Sequence, residues 1–289
     1  HQGERLAALD GRPRPRIAPT GCRTGFALML TRRLIVCFYV KGGRVVKGVN
    51  FESLRDVGDP VVLAERYEQE GADEIVYLDI SASAEERSTL LDLARRTAER
   101  LFIPLTIGGG IRSADDVARA LRAGADKVSL NSAAVERPEV LAEASHRFGA
   151  QCVVASIDAA MIDGAYRVFV KGGKVPTQLE AIGWAQECER RGAGEILLTS
   201  IDRDGVRSGY DLALTRAISD AVSVPVIASG GAGNATHVCA ALTAGGADAA
   251  LVAGILHDGV TTVAALKGAM GAAGIPVRST IASARAGSA

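Results

Sequence analysis

Short apolar runs alternate with amphipathic stretches over most of this chain. Eight runs have strand length and are apolar on both faces: 34–40, 74–80, 104–107, 127–131, 152–158, 195–200, 224–229 and 249–253. Strands read this way when they lie in a parallel sheet covered by helices on its faces. Between them the apolar spacing turns helical. Leu90, Leu91, Leu93, Ala94 and Ala98 fall on one side of a helix whose other side carries Asp92, Arg95, Arg96 and Glu99. Eight strand–helix units predict an α/β fold closed into a (β/α)8 TIM barrel, because an open doubly wound sheet more often has fewer strands. The barrel is expected over 31–278, with 1–30 a disordered N-terminal extension and 279–289 a flexible tail.

An internal repeat points the same way. The stretch PLTIGGGIRSADDVARALRAGADKVSLNSA, from Pro104, aligns with PVIASGGAGNATHVCAALTAGGADAALVAGI, from Pro225, with one extra glycine at Gly246. DEIVYLDISAS, from Asp73, aligns with GEILLTSIDRDG, from Gly194. Two similar half-barrels are expected, and the same loops in each half should do similar work.

Composition narrows the functional classes. Lys+Arg and Asp+Glu both number 33, so no net field favours nucleic acid or an anionic membrane, and anion binding must come from local geometry. An aromatic content of 4% argues against base-stacking platforms. Cys22, Cys37, Cys152, Cys188 and Cys239 form no CxxC pair, which suits a reducing, cytoplasmic setting and buried or incidental thiols. The most apolar segment, 26–40, is interrupted by Arg32 and Arg33, so no membrane span is expected. His1, His146, His237 and His257 share no ligand spacing, and neither metal nor cofactor is expected.

The candidate chemistry lies in the repeated loops. Gly108-Gly109-Gly110 follows the third strand and Ser229-Gly230-Gly231-Ala232-Gly233 the seventh, while Asn131-Ser132 and Ala253-Gly254 end the fourth and eighth. Glycines let the backbone approach an anion closely, and the helix that follows offers unpaired N–H groups. Two readings stand: tight strand-to-helix turns, or paired phosphate cradles across one barrel mouth. Asp79, Asp158, Asp202 and Asp204 sit at strand ends, where a carboxylate either moves protons or caps the next helix. Asp158, at the end of the apolar run Val153-Val154-Ala155-Ser156-Ile157, is the best candidate for a general acid or base.

KGGRVVKGVNFESLRDVGDP, DEIVYLDISAS, GADKVSLNSAAV, GAGEILLTSIDRDGVRSGYD and PVIASGGAG together carry a specific resemblance. The chain resembles the cyclase subunit of imidazole glycerol phosphate synthase, of histidine biosynthesis, from about Thr31 to Arg278. The sister isomerase of that pathway shares the repeat and the two-phosphate logic but is less similar in the 50–60 loop and in SIDRDG. The resemblance implies a heterodimeric lyase that takes ammonia from a glutaminase partner and converts the bis-phosphate PRFAR to imidazole glycerol phosphate and AICAR. It implies that Asp158 is catalytic and that Lys47 lies on a mobile first loop. It places one phosphate at Gly110, Asn131 and Ser132, and the other at Asp204, Gly205, Gly231, Ala253 and Gly254. Arg33, Glu74, Lys127 and Glu195 match a charged ring that gates ammonia at the other end of the barrel; a purely structural ion-pair ring is the competing reading.

The departures bear on activity. The family's second catalytic aspartate belongs at the end of the first strand in a Cys-Leu-Asp-Val sequence, where this chain has Cys37-Phe38-Tyr39-Val40. The half-barrel shift pairs Tyr39 with Asp158. A phenol, with a reference pKa of about 10, is a poor substitute for a carboxylate base at neutral pH. Ala159-Ala160-Met161 replaces the usual Ala-Lys-Arg, and Gly254 the usual serine. Impaired cyclase turnover is expected, and a catalytically dead barrel that still binds a bis-phosphate or the glutaminase is the alternative, as is a sister-type isomerase lacking the same acid.

Overall fold

The computed structural model describes residues 30–49, 52–80 and 84–278, so the expectations for the N-terminal extension and the C-terminal tail fall almost wholly outside the described residues. Eight parallel strands close a cylinder: β1 (Arg33–Lys41), β4 (Glu74–Asp79), β5 (Leu105–Gly108), β6 (Lys127–Leu130), β7 (Val153–Ile162), β10 (Glu195–Ser200), β11 (Val226–Ser229) and β12 (Ala249–Val252). The β6–β7 pairing joins the two halves on one side and β12–β1 on the other, and β10–β7 closes the second half. Each expected strand is present.

Period-2 alternation sorts the side chains of each barrel strand. In β1, Leu34, Val36 and Phe38 join the large sleeve between barrel and helices, while Ile35 and Cys37 point inward. Inside, these two pack with Val76, Val154, Leu197, Ile227, Ala249 and Leu251 as a small apolar plug. The sleeve is covered by helices such as α2 (Ala84–Ala98), which buries Leu90, Leu93 and Ala94 as its spacing predicts. Thr97 is buried with them, its hydroxyl bonded to Tyr77 Oη at 3.0 Å and donating to the Leu93 carbonyl at 2.8 Å.

Four further strands were not expected. β2 (Arg44–Val49) and β3 (Glu52–Gly58) form an antiparallel ribbon off the end of β1, and β8 (Ala165–Val170) and β9 (Val175–Glu180) do the same off β7. The apolar run of β7 therefore does not end at Asp158. The strand continues to Ile162, and Asp158 pairs with Phe169 of β8. Two-stranded ribbons facing water need no continuous apolar run, and their pairing lies beyond the reach of hydropathy.

The ribbons extend the internal symmetry. Tyr39 pairs with Leu78 of β4 and Val46 of β2; Asp158 pairs with Thr199 of β10 and Phe169 of β8. Tyr39 and Asp158 thus occupy corresponding places in the two halves. The extra Gly246 sits in the turn between α8 (Ala235–Leu242) and β12, where its φ of +72° makes a glycine fitting. Among the described residues, no helix is long and apolar enough to cross a membrane.

Candidate functional site

The C-terminal ends of the strands surround a cavity of about 1010 Å3 lined in part by Tyr39, Gly110, Asn131, Ser132, Asp158 and Asp204. These residues come from both halves of the repeat, and all were expected at the site. Gly205, Gly231, Ala253 and Gly254 are not among the residues lining this cavity. Gly231 accepts from the Gly209 N–H at 2.8 Å, and Gly254 from the Arg207 guanidinium at 3.2 Å. Lys47 lies in β2 with its backbone paired to Arg55; its side chain is outside the described atoms.

The two glycine turns are near copies. Gly109 and Gly110 have φ of +92° and +68°, Gly230 and Gly231 +89° and +101°. A Cβ on Gly109 would run into the Asp79 carbonyl, and one on Gly230 into the Ser200 carbonyl, so crowding by the preceding strand end itself demands glycine. Asn131 and Ala253, with φ, ψ of −121°, −89° and −135°, −81°, turn the chain identically into the short helices α4 (Ser132–Glu136) and α9 (Gly254–His257).

At the centre, Asn131 Nδ2 donates to Asp158 Oδ2 at 2.8 Å, while Asn131 Oδ1 is buried without a partner. Burial, reinforced by the neighbouring Asp204, pushes the Asp158 carboxyl up to about 7 against the opposing hydrogen bonds of Thr199 and Asn131. Asp204 is also raised by burial, partly offset by the Gly205 N–H. A carboxyl poised near neutrality can both give and take a proton, which suits general acid–base work. Burial and the surrounding Asp204, Cys37 and Asp158 hold the Tyr39 phenol well above its usual range, so it stays neutral.

The raised Asp158 has a consequence for stability. Its folded pKa exceeds its unfolded value of about 3.9, so its contribution is fully present below that pH and is lost as pH rises through about 7. The Asp158→Asn variant, which cannot ionise there, should gain stability relative to the parent between pH 5 and pH 8, with little difference at pH 4. Urea unfolding of both proteins across that range checks it; a constant offset would show that Asp158 titrates normally.

At the opposite end of the barrel the four charged residues form a closed ring. Glu74 accepts from Arg33 at 3.0 Å and from Lys127 at 2.8 Å; Glu195 accepts from Lys127 at 2.9 Å and also pairs with Arg33. Thr106 Oγ1 donates to the other Glu74 oxygen at 2.6 Å. Both carboxylates are buried, so each requires the partners it has.

Residues 33–262 match the family described as "Histidine biosynthesis protein". The chain is 70% identical over 251 residues to the imidazole glycerol phosphate synthase subunit HisF of Myxococcus xanthus, covering 87% of this chain and 99% of that protein. It is 55% identical over 254 residues to the subunit of the same name from Microcystis aeruginosa, covering 86% and 100%. The chain belongs to the HisF family.

Sequence reading missed several members of the site. Asn131 was read only as a phosphate ligand, yet it holds Asp158. Thr199, the strand neighbour of Asp158, was overlooked, although the repeat already aligns it with Leu78 beside Tyr39. Lys171 and Lys174 line the cavity from the β8–β9 ribbon. They carried no signal because that ribbon was not foreseen. Among the described residues, no three metal-ligating side chains converge.

Proposed function

We propose that this chain is the cyclase subunit of an imidazole glycerol phosphate synthase, using ammonia from a glutaminase partner to convert PRFAR to imidazole glycerol phosphate and AICAR, with turnover lowered by Tyr39. The observation that carries this reading is one cavity uniting Asp158, its pKa near 7, with the Gly110–Asn131–Ser132 turn. In this reading that turn holds one phosphate, and Asp204, Gly205, Gly231, Ala253 and Gly254 hold the other. Glycines at positive φ bring backbone N–H groups close to such an anion, and the Ser132 hydroxyl adds a donor.

Ammonia would enter at the Arg33–Glu74–Lys127–Glu195 ring and pass the apolar plug of Ile35, Val76, Val154 and Leu197 towards Asp158. The neutral molecule crosses apolar surroundings at far less cost than ammonium, so the interior favours the nucleophilic form. At the mouth Asp158 would move the protons that attack and ring closure release. Lys47, on the first ribbon, would meet the substrate from above. The chain is proposed to work in the cytoplasm and to bind neither nucleic acid nor membrane.

A second reading, a barrel that binds bis-phosphate or glutaminase without turnover, is favoured by Tyr39 alone. Calorimetric titration with PRFAR tests the shared part: saturable binding at one site per chain is expected, and no binding would remove the cyclase reading and the bis-phosphate form of the second. Adding the chain to a HisF-dependent glutaminase should raise glutamine hydrolysis; no increase would remove the partner.

A further inference from the structure

We infer that the turn joining β8 to β9 caps the first phosphate turn, with Lys171 and Lys174 supplying its cationic charge. The inference rests on the reading that Gly110, Asn131 and Ser132 receive a phosphoryl group. Those three offer backbone N–H groups, an amide and a hydroxyl, but no cation. A phosphate monoester brings a charge of roughly −1.5 to −2 at neutral pH. The same cavity is lined by the carboxylates of Asp79, Glu136, Asp158 and Asp204, against which it sets only Lys41 and Arg112 besides the two lysines of the ribbon turn. A dianion entering it therefore requires positive charge close to its own end of the site.

The ribbon turn is placed to provide it. The Lys171 backbone N–H donates to Ser132 Oγ at 2.8 Å, which ties the turn to the phosphate-binding residue itself. That bond occupies the hydroxyl oxygen as an acceptor and leaves the hydroxyl hydrogen to donate. Lys171, Gly172 and Gly173 have φ of +55°, +66° and +75°, and this left-handed run bends the chain back so that 171–174 line the cavity. A lysine held at positive φ is uncommon, and here the bond to Ser132 accompanies it. Both lysine side chains are exposed, and among the described residues neither is engaged in an ion pair.

Symmetry gives a second, independent reason. Tyr39 pairs with Val46 in the first half and Asp158 with Phe169 in the second, so Lys171 lies one residue beyond the register position that corresponds to Lys47. Each half-barrel therefore sends a ribbon out of its first strand with a lysine at nearly the same level. The second ribbon would serve the first phosphate turn as a fixed cap, selecting ligands that carry a dianionic end there.

The test is calorimetric titration of the full chain with PRFAR and, separately, with ribose 5-phosphate, comparing the parent with Lys171→Gln, Lys174→Gln, the double variant and Lys171→Arg. Loss of one charge-assisted contact should weaken binding by about tenfold, and the double variant should lose more, with the deficit shrinking as salt rises. Lys171→Arg should bind as the parent does. Thermal melts report whether each variant is folded; if Gln variants melt early, Lys171→Arg and Lys174→Arg against the parent at rising salt carry the comparison. Double-variant affinity equal to the parent's for both ligands would overturn the cap. If PRFAR binds tightly and independently of the lysines, the cap falls and the proposed function stands. If ribose 5-phosphate alone binds, and needs the lysines, the cap stands and the proposed substrate falls. If neither ligand binds, both fall.

Discussion

Replacing Tyr39 with aspartate is expected to raise ammonia-dependent conversion of PRFAR by at least about a hundredfold, the lower end of what a positioned acid–base group contributes. The reason lies in the register. Tyr39 and Asp158 hold corresponding positions in β1 and β7, and each lines the cavity. The Tyr39 phenol is held neutral by burial and by the acids around it, so it can donate a hydrogen bond but cannot accept the proton a carboxylate would take. Asp158 alone would have to serve both faces of the reaction. The variant places a further carboxyl near Asp158 and Asp204, so like-charge repulsion should raise the apparent pKa values of the set and lower stability at high pH. Rates are therefore to be compared across pH 6–9 on protein shown to be folded at each point. Equal and fast rates for parent and variant would mean that Tyr39 is no impediment and that Asp158 suffices.

The largest effect on stability is expected at Glu74. Its carboxylate is 1% exposed and takes hydrogen bonds from Arg33, Lys127 and Thr106. Glu74→Ala would leave two cations at the barrel's end sharing only Glu195, with a cavity below them. Breaking a buried pair on one side costs about 3–5 kcal/mol. For a barrel of this size that corresponds to a melting temperature lower by roughly 6–20 °C. Differential scanning calorimetry reads it directly. The paired change Glu74→Met with Lys127→Met should recover much of the loss, since a well-packed apolar replacement of a buried ion pair is often neutral or better. A Glu74→Ala protein that melts with the parent would show the ring to be solvated and interchangeable, and would weaken its reading as a gate.

The candidate site was legible where one residue type served one local rule. Gly109 and Gly230 follow from turns that tolerate no Cβ, and the repeat alone put them on the same face. Arg33, Glu74, Lys127 and Glu195 stand at strand starts, where the family resemblance implied a charged ring and the cost of burying charge required mutual pairing. Asn131 shows where this stops. Its place after β6 was clear, but its hydrogen bond to Asp158 spans two strands and required the barrel's geometry. Lys171 and Lys174 were invisible for a related reason: they sit in the turn before β9, a strand exposed at most positions, and pairing between two short strands leaves no hydropathy period that marks the turn.

The sequence by itself determined the barrel and its twofold internal repeat. Both are written in local periods, spacings and residue identities that survive without coordinates. Only the tertiary structure decided which side chains share the cavity, that Asp158 sits near neutrality, and that two antiparallel ribbons rise from corresponding strands. Those properties depend on burial and on pairing between residues far apart in the chain, and they exist only once the cylinder is closed.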